Sequence, residues 1–331
     1  MPLIEELGER RIIEILLKQL EVMPGVLVPF GDDVSAIDLG DGRLAVMKTD
    51  MLVGRTDVPP GMSLWQAARK AVIMNISDLA AKGVRPTAIL ASLGLPRGLT
   101  EGDIEQIGKG LNAGAREYGA YVLGGDTNEA SDLVISCAAF GTCEKQLLMR
   151  RSGAKPGNLV AVTGPFGKTA AGLKVLLEGL SAPLNVKETL IDAVLMPQAR
   201  LQEGLALAQT RAVTASIDSS DGLAWSLHEI SRASRVGFII KKLPIAQEAK
   251  EFAEAHGLNP AELTLYDGEE YELVVTVKAE LWARAEEAVK KIGGSLTKIG
   301  LATREPVVLF KGKKGIIPIE ARGWEHFKLH S

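Results

Sequence analysis

Leu44-Ala45-Val46-Met47-Lys48-Thr49-Asp50, followed by Leu64-Trp65-Gln66-Ala67-Ala68-Arg69-Lys70-Ala71-Val72-Ile73-Met74-Asn75-Ile76-Ser77-Asp78-Leu79-Ala80-Ala81, decides the fold class. The first is a strand-like apolar run and the second is apolar at helical spacing. Outward from this pair the same alternation continues: Ala88 to Ala91 reads as strand, Ile104 to Tyr118 as helix, then Tyr121 to Leu123 and Leu133 to Ala139 as strands. A second series runs from Leu159 to Val162 through Ala170 to Glu178, Ala215 to Ile217, Trp225 to Ala233, Gly237 to Ile240 and Leu273 to Val277. Such alternation predicts α/β (α+β layered) architecture. Between the series lies the polar, Gly- and Pro-bearing stretch Cys143 to Gly157, so two domains are expected, residues 1–148 and 149–331. Lys311-Gly312-Lys313-Lys314-Gly315 reads as a solvated hairpin turn.

At 331 residues and 46% hydrophobic content the chain can bury substantial cores. Thirty-eight basic against 41 acidic residues leave no basic stripe, which argues against nucleic acid as a partner. Cys137 and Cys143 fit neither a disulfide framework nor a zinc site, and a reducing cytoplasm suits them. Met1 to Leu20 reads as an amphipathic helix. No apolar run approaches the roughly 20 residues that span a bilayer, so a soluble protein without a membrane partner is expected.

The informative feature is the placement of aspartates: Gly31-Asp32-Asp33, Thr49-Asp50, Ser77-Asp78, Gly124-Gly125-Asp126-Thr127 and Asp218-Ser219-Ser220-Asp221-Gly222. Most are read at the ends of apolar segments or beside glycine, where α/β scaffolds place catalytic groups. Ser77-Asp78 lies inside a helical pattern, where an exposed polar residue needs no functional reason, and Asp221 before Leu223 could cap a helix. Oxygen ligands without nearby His or Cys select hard cations, and scattered carboxylates suit Mg²⁺ shared with phosphates better than Ca²⁺. Phosphoryl chemistry is the reading that follows. Gly164-Pro165-Phe166-Gly167-Lys168-Thr169 is spaced too tightly for a phosphate-binding P-loop, and the four histidines have no partners at ligand spacing.

The ordered series Gly31-Asp32-Asp33, Lys48-Thr49-Asp50, Asn75-Ile76-Ser77-Asp78, Gly124-Gly125-Asp126-Thr127, Arg151-Ser152-Gly153, Asp218-Ser219-Ser220-Asp221-Gly222, Gly268-Glu269-Glu270-Tyr271-Glu272-Leu273 and Gly323-Trp324-Glu325-His326-Phe327 resembles the thiamine-monophosphate kinases. The wider superfamily includes aminoimidazole ribonucleotide synthetase, selenophosphate synthetase and a hydrogenase maturation factor. The resemblance implies an N-terminal domain whose sheet forms a barrel with its copy across a homodimer, and a C-terminal α/β domain completing a cleft. It implies ATP as co-substrate, thiamine monophosphate as acceptor and several Mg²⁺ ions. By matching motifs, Asp33, Thr49, Asp50, Asp78, Asp126, Asp218 and Asp221 are expected metal ligands, with Asp50, Asp126 and Asp218 central to catalysis. Gly125, Asp126, Arg151 and Ser220 match nucleotide contacts, and Glu269 and Trp324 match acceptor contacts.

Two departures stand out. Lys48 occupies a position where many relatives have serine, so a metal contact there would use its backbone carbonyl. Asp57 matches in spacing a family histidine near the acceptor. The acceptor is itself a phosphate, so no general base is required. The obstacle is bringing two polyanions together, and aspartate-held Mg²⁺ relieves it. Another ATP-using enzyme of the superfamily, such as aminoimidazole ribonucleotide synthetase, and a non-catalytic nucleotide-binding scaffold remain the alternatives at this level.

Overall fold

A computed structural model describes residues 3–313 and 315–327. Two short helices, α1 (Ile4–Leu7) and α2 (Glu9–Leu17), precede the first sheet. Its strands are β1 (Ser35–Asp38), β2 (Arg43–Val53), β3 (Arg85–Leu95), β4 (Tyr121–Glu129) and β5 (Val134–Glu144), in the order β1-β2-β5-β3-β4. Only β3 and β4 pair in parallel. Helices α3 (Gly54–Asp57), α4 (Leu64–Ala81) and α5 (Glu101–Glu117) are interleaved with these strands.

The second sheet holds β6 (Leu159–Val162), β7 (Val213–Asp218), β8 (Gly237–Ile240), β9 (Leu273–Val277), β10 (Thr297–Thr303), β11 (Val308–Gly312) and β12 (Gly315–Pro318). Their order is β12-β11-β8-β10-β6-β9-β7. Around it lie α6 (Lys168–Glu178), α7 (Leu184–Leu195), α8 (Leu201–Thr210), α9 (Leu223–Ser234), α10 (Gln247–His256), α11 (Pro260–Leu265) and α12 (Trp282–Lys291). β11 and β12 form the hairpin expected around 311–315, with Gly312 opposite Gly315; Lys314 lies outside the described residues.

Helix α4 is the hub. Ser63 accepts the Gln66 amide at 3.2 Å while Gln66 reaches back to the Ser63 amide, a reciprocal cap that fixes its start. One side of the helix packs on β2 and β5 and the others meet α5, α8 and β7, so almost its whole length is buried. The crossing with α8 is backbone on backbone: a Cβ at Gly204 would overlap the Ala80 carbonyl oxygen. Ser77 and Asp78, which a helical pattern on its own places at the surface, are therefore interior.

Two further expectations change. Asp50 and Asp126 do not end their strands: β2 continues to Val53 because all of Arg43–Val53 pairs with β5, and β4 continues to Glu129 along β3. The N-terminal segment is not one helix but two, broken at Gly8 with φ of 72°, and α2 buries no side chain. Met1 and Pro2 lie outside the described residues. Among the described residues no helix is long and apolar enough to cross a membrane.

Candidate active site

The alternation of a strand decides which β2 side chains can meet α4. Leu44, Val46, Lys48, Asp50 and Leu52 share the helix-facing side, whereas Met47, Thr49 and Met51 face the other way. Asn75 and Asp78 of α4 and Lys82, the residue that caps its C-terminus, follow at spacings of three and four, which puts them on one stripe. The stripe meets β2 on one side and β7 on the other, and three carboxylates converge there. One oxygen each of Asp33, Asp78 and Asp218 lies within 4.8 Å of the others. Asp33 arrives from the loop before β1, Asp78 from the middle of α4, and Asp218 from the last position of β7.

Each carboxylate is held by named partners. Lys82 Nζ reaches Asp32 and Asp33 at 2.6 Å each and donates to the Ser216 carbonyl at 2.7 Å. Arg151 closes the other side of Asp33, with its own backbone N–H on Asp32 at 2.9 Å. Ser77 Oγ donates to Asp218 at 2.6 Å. Lys48 Nζ lies 3.1 Å from Asp50 and 3.0 Å from Asp78. Asn75 Oδ1 accepts the Asp50 amide at 3.0 Å, which ties β2 to α4 at this point.

These partners divide the aspartates electrostatically. Burial alone pushes the Asp33 carboxyl up, but Lys82 and Arg151 outweigh it and hold it at about 2. Asp218 is pushed up by burial, and further by the charge of Asp33, to about 7. Burial also raises Asp78 well above the usual carboxylate range, with Asp218, Asp50 and Asp33 adding repulsion that Lys48 only partly offsets. At the cleft edge Asp221 is raised to about 6 by burial and by Glu9. A donor set of oxygens alone, crowded enough to resist ionisation without added positive charge, fits a hard divalent cation.

The cleft beside this cluster has a volume of ≈ 690 Å³, and its walls include Lys48, Thr49, Asp57, Ser220, Tyr271 and His326. The loop carrying Gly268 to Tyr271 clamps onto the end of β7: Glu269 N–H donates to the Ser220 carbonyl at 2.7 Å and Tyr271 N–H to that of Ser219 at 3.0 Å. Glu269 and Tyr271 both sit in the left-handed region, at φ of 63° and 53°. For residues with side chains this costs about 1–3 kcal/mol each, strain that concentrates at functional sites.

Not every expected residue joins the cluster. Asp126 pairs across β4–β3 with Ser92, Ser92 with Ser136 on β5, and Ser136 with Met51 on β2. That is three strand spacings, roughly 14 Å, and on the face opposite Asp50. Gly125 packs against β3, where a Cβ would overlap the Ala91 carbonyl oxygen. Asp57 lines the cleft, but its carboxylate accepts the Val53 amide at 2.7 Å. Glu269 pairs with the buried Lys70 and lines a separate, smaller cavity of ≈ 320 Å³ rather than the cleft. Trp324 is 41% exposed, with its ring edge-on to His326 at 5.9 Å.

Lys82, Ser77, Lys70 and Tyr271 are the contributors that sequence reasoning missed. The signal for Lys82 was present, since a charged residue four positions after Asp78 continues the polar stripe of Asn75 and Asp78 one turn further. The helix start after Gly167 is taken by Glu270, whose carboxylate accepts the Gly167 and Thr169 amides at 2.5 and 3.3 Å, consistent with the rejection of a P-loop there.

Comparison with known proteins bears on this geometry. Family models described as AIR synthase related protein, N-terminal domain, and AIR synthase related protein, C-terminal domain, match residues 31–143 and 155–311. The thiamine-monophosphate kinase of Nitrosopumilus maritimus (strain SCM1) is 34% identical over 98% of this chain and 99% of its own. That of Pyrococcus horikoshii is 38% identical over 90% and 91%. A solved structure described as AaThiL complexed with AMPPCP and TMP matches with a TM-score of 0.86 and 29% identity, covering 98% of this chain and 99% of that one.

The two kinds of aspartate predict opposite pH limbs in metal-free buffer. Asp33 falls from 3.8 to about 2 on folding, so its stabilisation is present above about pH 4 and lost as pH falls towards 2. Asp218 rises from 3.8 to about 7, so its stabilisation is present below about pH 4 and lost as pH climbs to 7. Urea unfolding midpoints should therefore decline from about pH 5 to about pH 7.5, and Asp218→Asn should lessen that decline, to which Asp78 and Asp221 also contribute. A wild-type midpoint constant over this range would contradict the assignment.

Proposed function

Because the chain belongs to the thiamine-monophosphate kinase family within the AIR synthase related proteins, we propose that it transfers the terminal phosphoryl group of ATP to thiamine monophosphate, giving thiamine diphosphate. The observation that carries this reading is the convergence of Asp33, Asp78 and Asp218 at the junction of the two sheets, beside a cleft large enough for substrate phosphates. Asp33, Asp50, Asp78 and Asp218 would hold Mg²⁺, with Thr49, Asp221 and the Lys48 carbonyl at the margins. Bound there, Mg²⁺ would supply the positive charge needed to bring two phosphate-bearing substrates together.

The chain's own groups do the positioning. Arg151, anchored on Asp33 and Glu229, presents its guanidinium at the nucleotide side, where Ser220 also lies. Glu269, Asp57 and Trp324 serve the acceptor side. The acceptor phosphate attacks directly, in line with the bond that breaks, and needs no residue to deprotonate it. The functional units divide near residue 148, and the reaction takes place in the cytoplasm.

Asp126 and Gly125 enter the site from a second copy of the chain. Two features support a homodimer. The outer face of the first sheet displays Leu123 at 71% exposure, Tyr121 at 56% and Met51 at 55%, an apolar surface of the kind that association covers. Asp126 also lies on that face, away from the cluster within its own chain. Two such faces closing on each other give the barrel.

The assay is direct: incubation with ATP, Mg²⁺ and thiamine monophosphate should yield thiamine diphosphate by chromatography. Asp218→Asn should lower kcat by more than the about 10–100-fold lost when an outer partner of a metal ligand is removed, with the circular dichroism spectrum retained. Absence of product from the wild-type chain would sink the reading. For assembly, light scattering should give twice the chain mass, and Leu123→Asp should give monomers without turnover; a fully active monomer would refute the shared site. Trp324→Ala should raise the KM for thiamine monophosphate about two- to thirtyfold, the equivalent of roughly 0.5–2 kcal/mol for a cation over an indole, while sparing the KM for ATP. Equal changes in both constants would instead indicate a packing role.

A further inference from the structure

Lys48 is the cation that the family reading does not use. Its position on β2 two residues before Asp50 places both side chains on the helix-facing side of the strand, so their proximity follows from the pleat. Its Nζ bridges Asp50 at 3.1 Å and Asp78 at 3.0 Å, and the side chain is 20% exposed where it lines the cleft. The other two cations at the cluster are committed elsewhere: Lys82 to Asp32, Asp33 and the Ser216 carbonyl, Arg151 to Asp33 and Glu229. Lys48 is thus the cation described as paired with Asp50 and Asp78.

A Mg²⁺ ion bridging those two carboxylates would sit about 2.0–2.1 Å from an oxygen of each. The Lys48 ammonium already occupies the space between them, and like charges exclude each other at such separation. An ammonium on an extended strand is also permanent, whereas a bound ion is not.

We propose that Lys48 serves as a built-in monovalent cation in the metal centre, holding Asp50 and Asp78 together and taking the place of one divalent ion. Asp33, Asp78 and Asp218, with the Asp50 oxygen that Lys48 leaves free, would then hold the remaining divalent ions. This inference rests on reading the cluster as a Mg²⁺ site. It makes Lys48 a positioning residue that sets how many ions the centre takes.

Counting ions tests it independently of turnover. Mn²⁺ binding to the full chain is titrated by electron paramagnetic resonance, with a non-hydrolysable ATP analogue present, for the wild type, Lys48→Ser and Lys48→Arg. Lys48→Ser should bind one more Mn²⁺ per chain than the wild type, and Lys48→Arg, which keeps the charge, should bind the same number. Lys48→Gln, closer in length, replaces the serine variant if that one does not fold. Equal numbers in the wild type and the neutral variants would overturn the proposal while leaving the metal site intact. If the wild type binds no Mn²⁺ with the analogue, the reading of the cluster itself fails.

Discussion

A single buried ammonium organises the junction on which the site depends. Lys82 is sealed from solvent at the C-terminal end of α4, and its ammonium pairs with Asp32 and Asp33 and donates to the Ser216 carbonyl. The first two belong to the loop that opens the N-terminal sheet, and the third belongs to β7 of the other sheet. One side chain therefore fixes the loop, the helix and the second sheet relative to one another. Burying such a charge is tolerable only with partners, and taking one partner from a buried pair costs about 3–5 kcal/mol. The arrangement is thus specific: only the orientation of the two sheets that delivers both carboxylates and the carbonyl satisfies the ammonium.

From that fixed point the chemistry of the cleft follows. Asp33 is kept ionised by Lys82 and Arg151, and its charge helps to raise Asp218. Ser77 and Lys48 then hold the other carboxylates in place against their mutual repulsion. The result is a preorganised set of oxygens with more negative charge than the protein alone comfortably compensates, a state in which added cations find the ligands already aimed. The strained turn at Glu269 and Tyr271 belongs to the same design. Its backbone is hydrogen-bonded to Ser219 and Ser220, which ties the wall of the cleft to the chain just after Asp218.

Packing supports these electrostatics. Helix α4 carries Arg69, Lys70, Asn75, Ser77 and Asp78 in buried positions and is capped by the buried Lys82, an unusual load for an interior helix. Each has a partner: Arg69 grips Glu117 and the Pro197 carbonyl, and Lys70 bonds the Asp57 carbonyl and pairs with Glu269. The helix acts as a polar spine between two apolar cores, and its close approach to α8 at Gly204 brings the second sheet within reach of Asp78.

The sequence by itself determined the layered α/β class, the strands at Leu159–Val162 and Gly237–Ile240, the hairpin around Lys311–Gly315, and the aspartates as the chemical vocabulary, because apolar periodicity and turn residues are local properties. It also carried the ordered motifs that resemble a phosphate-transferring family. Strand lengths were not legible: β2 runs through Lys48, Thr49 and Asp50 because β5 pairs with every residue of it, and pairing is non-local. Nor was the interior position of Asp78, since whether a polar helical residue meets water depends on what covers that face. Only the tertiary structure decided that Asp33, Asp78 and Asp218, drawn from a loop, a helix and a strand, share one point while Asp126 lies three strands away on the opposite face. The physical reason is that convergence of charge is set by the packing of two sheets around α4 and by the partners that make burial of those charges tolerable, and neither is written in the spacing of residues along the chain.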